Sequence, residues 1–595
     1  MTEFRVWAPR PHQVEVLVRG GRLPMSPAGD GWWSCREDAA GPGSCYAYSL
    51  NGGPERPDPR APFQPFGING PSKLIDHESF GWSDAGWRGV PLPGSVIYEC
   101  HIGTFSAEGT FAGAIRHLDH LVGLGVDLVE IMPVAEFSGM RGWGYDGVHL
   151  FAPHHAYGGP DGLKRLVDAA HARGLGVIID VVYNHLGPAG NYLPEYGPYF
   201  TSRQATWWGE AVNFDGEDSG EVRRFVIDNA LMWLRDYHAD GLRIDAVHAI
   251  YDRSATHIMA ELAAEVRALA AHLRRNLILI AESDQNDPRL VTGQAQGGYG
   301  LDASWADEWH HGLHAVLTGE RDGYYSDFGS LRVLAKALRQ AWVHDGSYSS
   351  YRRRVHGRSP AGLSGSQFVV CTQNHDQVGN RAAGERLSGL VSLGRLKVAA
   401  VLLLTSPFVP MLFQGEEWGA ASPFPYFTDH RDPELAKAVR EGRKAEFAAF
   451  GWDPGDVPDP QDAATFEQAK LDWAEARAEG HAELLAWYRL VIGLRRRYQA
   501  LSDPRFERVE TECDDEAGWL TVRRGPLLVA VNLGAAVWTC AAGAGASLLA
   551  GSDPGVILGA RGLELPPDTA GIVAGTVAGT VLSKHTPDGD QAPAG

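Results

Sequence analysis

Several near-apolar runs of this chain end on ionisable side chains. His185 closes one, Asp245 and His248 another, Glu282 a third, and His375 with Asp376 a fourth. Carboxyls and imidazoles are the groups that carry protons or attack electrophilic carbon. In GLRIDAVH (241–248), Arg243 and Asp245 are two residues apart and face the same side of an extended strand. A neighbouring guanidinium keeps a carboxylate ionised, which suits a nucleophile. Glu282 ends the apolar LILIAE, a setting that raises a carboxyl pKa and suits a general acid. A single Asp at a strand end is ordinarily a cap or a loop acceptor. Asp245, Glu282 and Asp376 together, with an Arg and several His, would repel unless a site uses them.

These ends converge only if the runs are parallel strands. The runs are IYECHIG (97–103), LVEIMPV (128–134), GVIIDVVYNH (176–185), GLRIDAVH (241–248), LILIAESD (277–284), the weaker ASWADEW (303–309), FVVCTQNHD (368–376) and FVPMLF (408–413). Amphipathic helices lie between them. One carries Leu163, Leu166, Val167 and Ala170 and is closed by Gly174. Another carries Phe225, Val226, Trp233, Leu234 and Tyr237, with Asp218 and Ser219 as N-caps. Apolar strands alternating with helices imply a parallel sheet covered on both faces. Eight such runs fit a (β/α)₈ barrel, whose C-terminal strand ends share one mouth; a doubly wound sheet is the alternative.

The flanks read differently. Residues 1–93 alternate in short runs broken by Gly, Pro and Asn, an N-terminal immunoglobulin-like β-sandwich. The barrel takes 94–498, with a short insertion at about 186–222. A helix through Leu484, Trp487, Tyr488, Val491 and Leu494 ends in Arg495–Arg497, suited to a helix C-terminus. The hairpin GWLTVRRGPLLVAVNLG (518–534) opens a C-terminal β-sandwich over 503–582, and 583–595 reads as a disordered tail.

Composition narrows the function classes. With 53 Lys+Arg against 73 Asp+Glu in 595 residues, the net charge of −20 repels phosphate backbones, so nucleic acid is excluded as a main partner. The run Val398–Phe413 is broken by Thr405, Ser406, Pro407 and Pro410, and reads as a buried helix, a turn and a strand, not a membrane span. No signal peptide is expected from MTEFRVWAPRPHQ. The cysteines at 35, 45, 100, 371, 513 and 540 show no CxxC spacing. Cys35 and Cys45 could pair in an oxidising compartment, but a reduced cytoplasmic chain fits better.

DVVYNH (180–185), GLRIDAVH (241–248), Glu282 in LIAESD and QNHDQVGN (373–380) resemble, in order and spacing, the four signature segments of the α-amylase family. The resemblance covers the barrel and extends to both β-domains. It implies a retaining glycoside hydrolase with Asp245 as nucleophile, Glu282 as general acid/base and Asp376 as the third carboxylate. It also implies that Arg243 partners the nucleophile, that His185 and His375 bond the sugar in subsite −1, and that Tyr145 in GWGYDG lies beneath it. Asp146, Asp180 and His248 complete the implied substrate-binding set. AESDQNDPRLV (281–291), QNHDQVGNR (373–381) and FQGEEWGAASPFPYFTDH (413–430) resemble the branch of the family that releases trehalose from maltooligosyltrehalose, with functional coupling to the synthase of that substrate. A glycogen branching or debranching enzyme, and a non-catalytic glucan-binding protein on the same fold, are the alternatives. No cofactor and no metal is implied: Asn184 matches a calcium-ligating position of ordinary α-amylases, but the insertion at 186–222 is too short to complete that site. Trp207, Trp208 and the Trp418–His430 loop are candidates for lining the trehalose end, or for packing long loops.

Other motifs carry less. GWGYDG fits G-x-G-x-x-G, yet no helix N-terminus follows to hold a pyrophosphate. His310, His311 and His314 have helical spacing for a metal, but no carboxylate arrangement to complete a site is evident. Glu416 and Glu417 read as a structural pair after the eighth run.

Overall fold

The computed structural model describes residues 2–206, 208–448, 457–543 and 545–575. Eight parallel strands close into a barrel: β1 (Ile97–Cys100), β2 (Leu128–Ile131), β3 (Gly176–Val181), β4 (Gly241–Ile244), β5 (Ile278–Ala281), β6 (Ala303–Trp305), β7 (Phe368–Cys371) and β8 (Val409–Phe413). Each pairs with the next in sequence and β8 returns to β1, so the doubly wound alternative falls. Every strand lies within a run identified from the sequence. The weak run is extended only over Ala303–Trp305; its ADEW portion turns into the helix Asp307–Thr318.

Alternation along a strand sends every second side chain into the barrel. Ile97, Leu128, Ile178, Ile278, Ala303, Val369 and Val409 pack there as a cluster separate from the main core. Two residues further along the same strand faces come Glu99, Glu130, Asp180 and Arg243. In the ladder Glu130 stands opposite Glu99, and Asp180 opposite Arg243. The barrel is thus apolar toward one end and ionisable toward its mouth.

The helix Gly159–His171 buries Leu163, Leu166, Val167 and Ala170 against the barrel. The helix Ser219–Arg235 buries Phe225, Val226, Trp233 and Leu234. Its expected cap is corrected: Asp218 has φ 56 and makes no side-chain cap bond, because a capping side chain needs extended backbone at that position. The run Val398–Phe413 resolves into the end of the helix Leu393–Leu404 followed by β8. Arg495, in the helix His481–Arg497, does not point to that helix's own end. It is buried, and its guanidinium donates to the carbonyls of Leu404, Ser406 and Phe408, acceptors left over between the helix Leu393–Leu404 and β8, and to that of Leu501.

Before the barrel, Thr2–Trp7, Trp32–Glu37 and Ser26–Pro27 form one antiparallel sheet. Gly21–Pro24, Val14–Val18, Cys45–Leu50, Glu55–Arg56 and Ser72–Lys73 form a second. Val14–Val18 alternates buried and half-buried residues, as a sandwich strand must. After the barrel, a five-stranded sheet including the hairpin Trp519–Arg524/Leu527–Asn532 accompanies a three-stranded one. The tail expected at 583–595 lies outside the described residues, as do 576–582. All six cysteines are free thiols. Among the described residues no helix is long and apolar enough to cross a membrane.

Candidate active site

Arg243 is fully buried on β4 and organises the mouth. Its Nη1 donates to Asp180 Oδ1 at 2.9 Å, Asp180 Oδ2 at 2.8 Å and Asp245 Oδ1 at 2.9 Å. Its Nη2 lies 3.3 Å from Glu282 Oε2. One guanidinium therefore touches carboxyls delivered by β3, β4 and β5, and it lies over the Trp305 ring from β6 at 4.1 Å. Burial works against its charge, but Asp180, Tyr145, Glu282 and Asp245 hold its pKa well above the ordinary value.

Asp245 is nearly buried. Asn184 Nδ2 donates to its Oδ2 at 2.7 Å and to its carbonyl at 3.1 Å. The next residue, Ala246, adopts φ 39, a left-handed conformation costly for a residue with a Cβ. That turn aims the Ala246 N–H at Glu282 Oε2. Burial pushes the Glu282 carboxyl up to about 8; Arg243 pulls it down in part, while Asp245 and Asp376 push it up again. Glu282 is therefore a protonated acid at neutral pH, beside a carboxylate clamped by cationic and amide donors.

Tyr145 reaches the site because Gly144 precedes it. Gly144 has φ +102, and a Cβ there would meet the Pro133 carbonyl at 2.1 Å. The Tyr145 ring stacks on His375 with centroids 5.1 Å apart, and its Oη donates to Asp180 Oδ2 at 2.6 Å. His185 Nε2 bonds the Tyr145 carbonyl at 3.0 Å, and burial pulls its pKa down. Asn374 caps the short helix His375–Gly379 through the N–H groups of Asp376 and Gln377, which sets Asp376 in its first turn. Asp376 remains 40% exposed and lies 3.5 Å from His375 Nε2.

The structure thus brings together Asp245, Glu282, Asp376, Arg243, His375, Tyr145, His185 and Asp180. Asp180 is buried with both oxygens held by Arg243 and one by Tyr145, so its bonds go to the protein. Asp146 sits at the edge, 3.7 Å from His430. His248 is half-buried beside Asp284, and its Nδ1 has no hydrogen-bond partner. Trp208 stacks on His185 at 4.5 Å and is 48% exposed at the mouth. Trp207 lies outside the described residues. Trp418 is fully buried against His120 and Trp473, so it packs the core and is removed from the candidates for the mouth.

Sequence reasoning missed Glu99, Glu130 and Asp307, and read Asn184 only as a calcium position. The signal existed for the first two: each is a lone acid inside an otherwise apolar run, hence inward-facing in a barrel. Asp307 lies in the weak sixth run, just past the strand Ala303–Trp305, and burial with Asp376 and Asp284 nearby pushes its carboxyl up to about 7.

The histidines of 310–314 are otherwise engaged. His310 bonds the Thr372 carbonyl and the Tyr325 hydroxyl, and His314 bonds Glu320. Glu136, His154 and His155 bring ligand atoms within 4.8 Å of one another. However, His154 Nδ1 accepts the Ala156 N–H, which puts the ring proton on Nε2, the atom a metal would need. Glu416 is held by Thr372 and Tyr488, and Glu417 by Tyr98 and His120, so both are engaged by the protein.

Comparisons agree with this geometry. Residues 75–219 match the model of the alpha amylase catalytic domain, and 504–572 match a domain of unknown function, DUF3459. The malto-oligosyltrehalose trehalohydrolase of Rhizobium sp. (strain M-11) is 50% identical, covering 96% of this chain and 97% of its own. That of Saccharolobus solfataricus is 45% identical over 83% of this chain and 85% of its own. The crystal structure of a Salmonella typhimurium protein described as an alpha amylase superposes with a TM-score of 0.89 at 38% identity, over 96% of this chain and 97% of that one. With these relatives matched along almost their full length, the chain belongs to the malto-oligosyltrehalose trehalohydrolase family of α-amylase-type glycoside hydrolases.

Proposed function

We propose that the protein hydrolyses the α-1,4-glucosidic bond next to the trehalose end of maltooligosyltrehalose, releasing trehalose and a maltooligosaccharide. The observation that carries the reading is Arg243, whose single guanidinium reaches both Asp245 and Glu282. Retention takes two carboxyls about 5–5.5 Å apart, one to attack and the other to move the proton, and a pair reached by one guanidinium suits it. Asp245 attacks the anomeric carbon while Glu282 protonates the glycosidic oxygen, and trehalose leaves. Glu282, now a carboxylate, takes a proton from water, which attacks the glycosyl–Asp245 ester and frees the maltooligosaccharide with retained configuration. Asp376, exposed at the mouth, binds sugar hydroxyls and Tyr145 is the platform, while His185 and His375, whose ring nitrogens are engaged by the protein, border the same sugar.

We place the enzyme in the cytoplasm, where free thiols persist, and in sequence with an enzyme that forms the trehalose linkage at the end of a maltooligosaccharide. Incubation with maltooligosyltrehalose and, separately, with plain maltooligosaccharide tests the function. Fast trehalose release from the first with little attack on the second is expected. New α-1,6 branches, or binding without turnover, would overturn it in favour of a branching enzyme or a glucan-binding protein.

A further inference from the structure

Glu99 and Glu130 stand opposite each other on β1 and β2, both buried inside the barrel beneath the site. Two carboxylates so placed repel. The structure treats them unequally. Glu99 Oε1 lies 2.5 Å from His375 Nδ1, and Glu99 Oε2 accepts the His375 backbone N–H at 3.1 Å. Neither oxygen of Glu130 has a hydrogen-bond partner. Burial, with Glu99 beside it, holds the Glu130 carboxyl well above the usual range, so Glu130 is the neutral member of the pair.

Counting protons on the other side of the His375 ring fixes its charge. His375 Nε2 lies 2.8 Å from Tyr145 Oη, which in turn donates to Asp180. A phenol has one proton to give. Asp180 accepts from Arg243 through both oxygens, so it is a carboxylate and takes the phenol proton. Tyr145 Oη then presents only a lone pair to His375, and the contact requires a proton on Nε2. The contact with Glu99 requires a second proton on Nδ1.

We propose that Glu99 is a positioning residue that holds His375 as an imidazolium, which fixes every donor in the chain: His375 donates to Glu99 and Tyr145, Tyr145 to Asp180, and Arg243 to Asp180 and Asp245. The catalytic consequence rests on the function proposed above; the charge on His375 does not. His375 becomes a second cation beside Arg243, facing a pocket crowded with carboxyls. It also locks the Tyr145 ring against which the sugar lies.

The groups around the ring support that state. Burial and Arg243 oppose the charge, but Asp376 on its own helix and Glu99 on β1 outweigh them and push His375 up to about 9. His101, at the end of β1, is pushed down to about 4 by burial first, with His375 adding to it, so it brings no competing charge. Glu130 on β2 is neutral, and Asp180 on β3 is already paired.

The test is ¹⁵N NMR of protein labelled at histidine, with the His375 signals assigned by their loss in His375→Gln. At pH 7 both ring nitrogens of His375 are expected to be protonated. A single protonated nitrogen in the unsubstituted protein would overturn the proposal without recourse to any variant or activity. Glu99→Gln is expected to leave His375 neutral at pH 7 and to lower kcat by about ten- to a hundredfold through loss of alignment, with a smaller change in KM. With the imidazolium gone the pocket carboxyls lose a cation, so the alkaline limb set by Glu282 should move above that of the parent enzyme. Glu130→Gln, an equally buried change on the neighbouring strand, is expected to leave the His375 signals and that limb in place. Should Glu130→Gln move both as far as Glu99→Gln does, or Glu99→Gln move neither, Glu99 has no such role. If maltooligosyltrehalose is not a substrate while His375 is doubly protonated, the functional reading fails and the Glu99 assignment stands.

Discussion

Asn184 binds Asp245 twice, at the carboxylate and at the main-chain carbonyl, from the neighbouring strand end. This amide fixes the rotamer of Asp245, the proposed nucleophile, through the oxygen that Arg243 does not hold. A hydrogen bond to a charged group contributes about 1.5–3 kcal/mol. Asn184→Leu should therefore lower kcat/KM by roughly ten- to a hundredfold, at about 1.4 kcal/mol per factor of ten. Steady-state kinetics with a circular dichroism melt checks this; an unchanged rate in a folded variant would show that the amide does not align Asp245.

Glu282 gives the enzyme its alkaline limit. Its carboxyl is pushed up to about 8, mainly by burial. The acid form must protonate the leaving oxygen, so kcat/KM should be flat near neutrality and fall as pH rises through about 8. Glu282→Gln should remove that limb and lower kcat by about 10²–10⁴. A pH–rate profile of both proteins is the measurement.

A clamp under the barrel fastens the segment that joins it to the N-terminal sheets. His171 Nδ1 lies 2.8 Å from Asp84 Oδ2 and its Nε2 lies 2.9 Å from Asp240 Oδ2; His238 Nδ1 reaches the same Asp84 oxygen at 2.8 Å. Burial opposes the His171 charge, but Asp240 and Asp84 outweigh it and raise its pKa. Burial likewise opposes ionisation of both acids, yet their histidine partners hold them below the usual value. The raised histidine contributes stability that is complete below about 6.5 and lost as pH rises through its folded pKa. The depressed acids contribute stability that is present above about 3.9 and lost as pH falls through their folded values. His171→Leu should cost about 1.5–3 kcal/mol at mildly acid pH, because Asp84 and Asp240 each lose a charged donor and keep only His238 and Arg275 respectively. Urea melts from pH 5 to 9 should show the difference between variant and parent shrinking toward the alkaline end.

Two tryptophans separate binding from packing. Trp208 is half-exposed over His185, whereas Trp418 is buried between His120 and Trp473. Trp208→Ala should raise KM severalfold with stability changed by less than about 0.5 kcal/mol. Trp418→Ala should cost about 3–5 kcal/mol of stability. Paired kinetics and melts check both; equal destabilisation by the two would mean that Trp208 also packs the fold.

The strands were legible because burial on both faces leaves near-continuous apolar runs, and a run ending on an acid marks a strand end at the mouth. That sufficed for all eight strands and for bringing Asp245, Glu282 and Asp376 to one mouth. The sixth strand was weakest because its second half is helical, which also hid Asp307. Asp218 misled because a good capping residue type says nothing about φ, and here φ is positive.

By itself the sequence determined the alternation of strand and helix, and so the mouth and the carboxyls that line it. Side-chain periodicity of two is local, and it survives in any barrel these runs build. The tertiary structure alone decided which inward charges meet. Glu99 and His375 are 276 positions apart in the chain and in contact in the fold. Arg243 serves several carboxyls because ladder register places β3, β4 and β5 side by side. Such contacts depend on barrel closure, which no stretch of sequence contains. That closure gives acids of ordinary type unlike surroundings: Glu282 is pushed up by burial, Asp245 is clamped by Arg243 and Asn184, and Glu99 is set against His375.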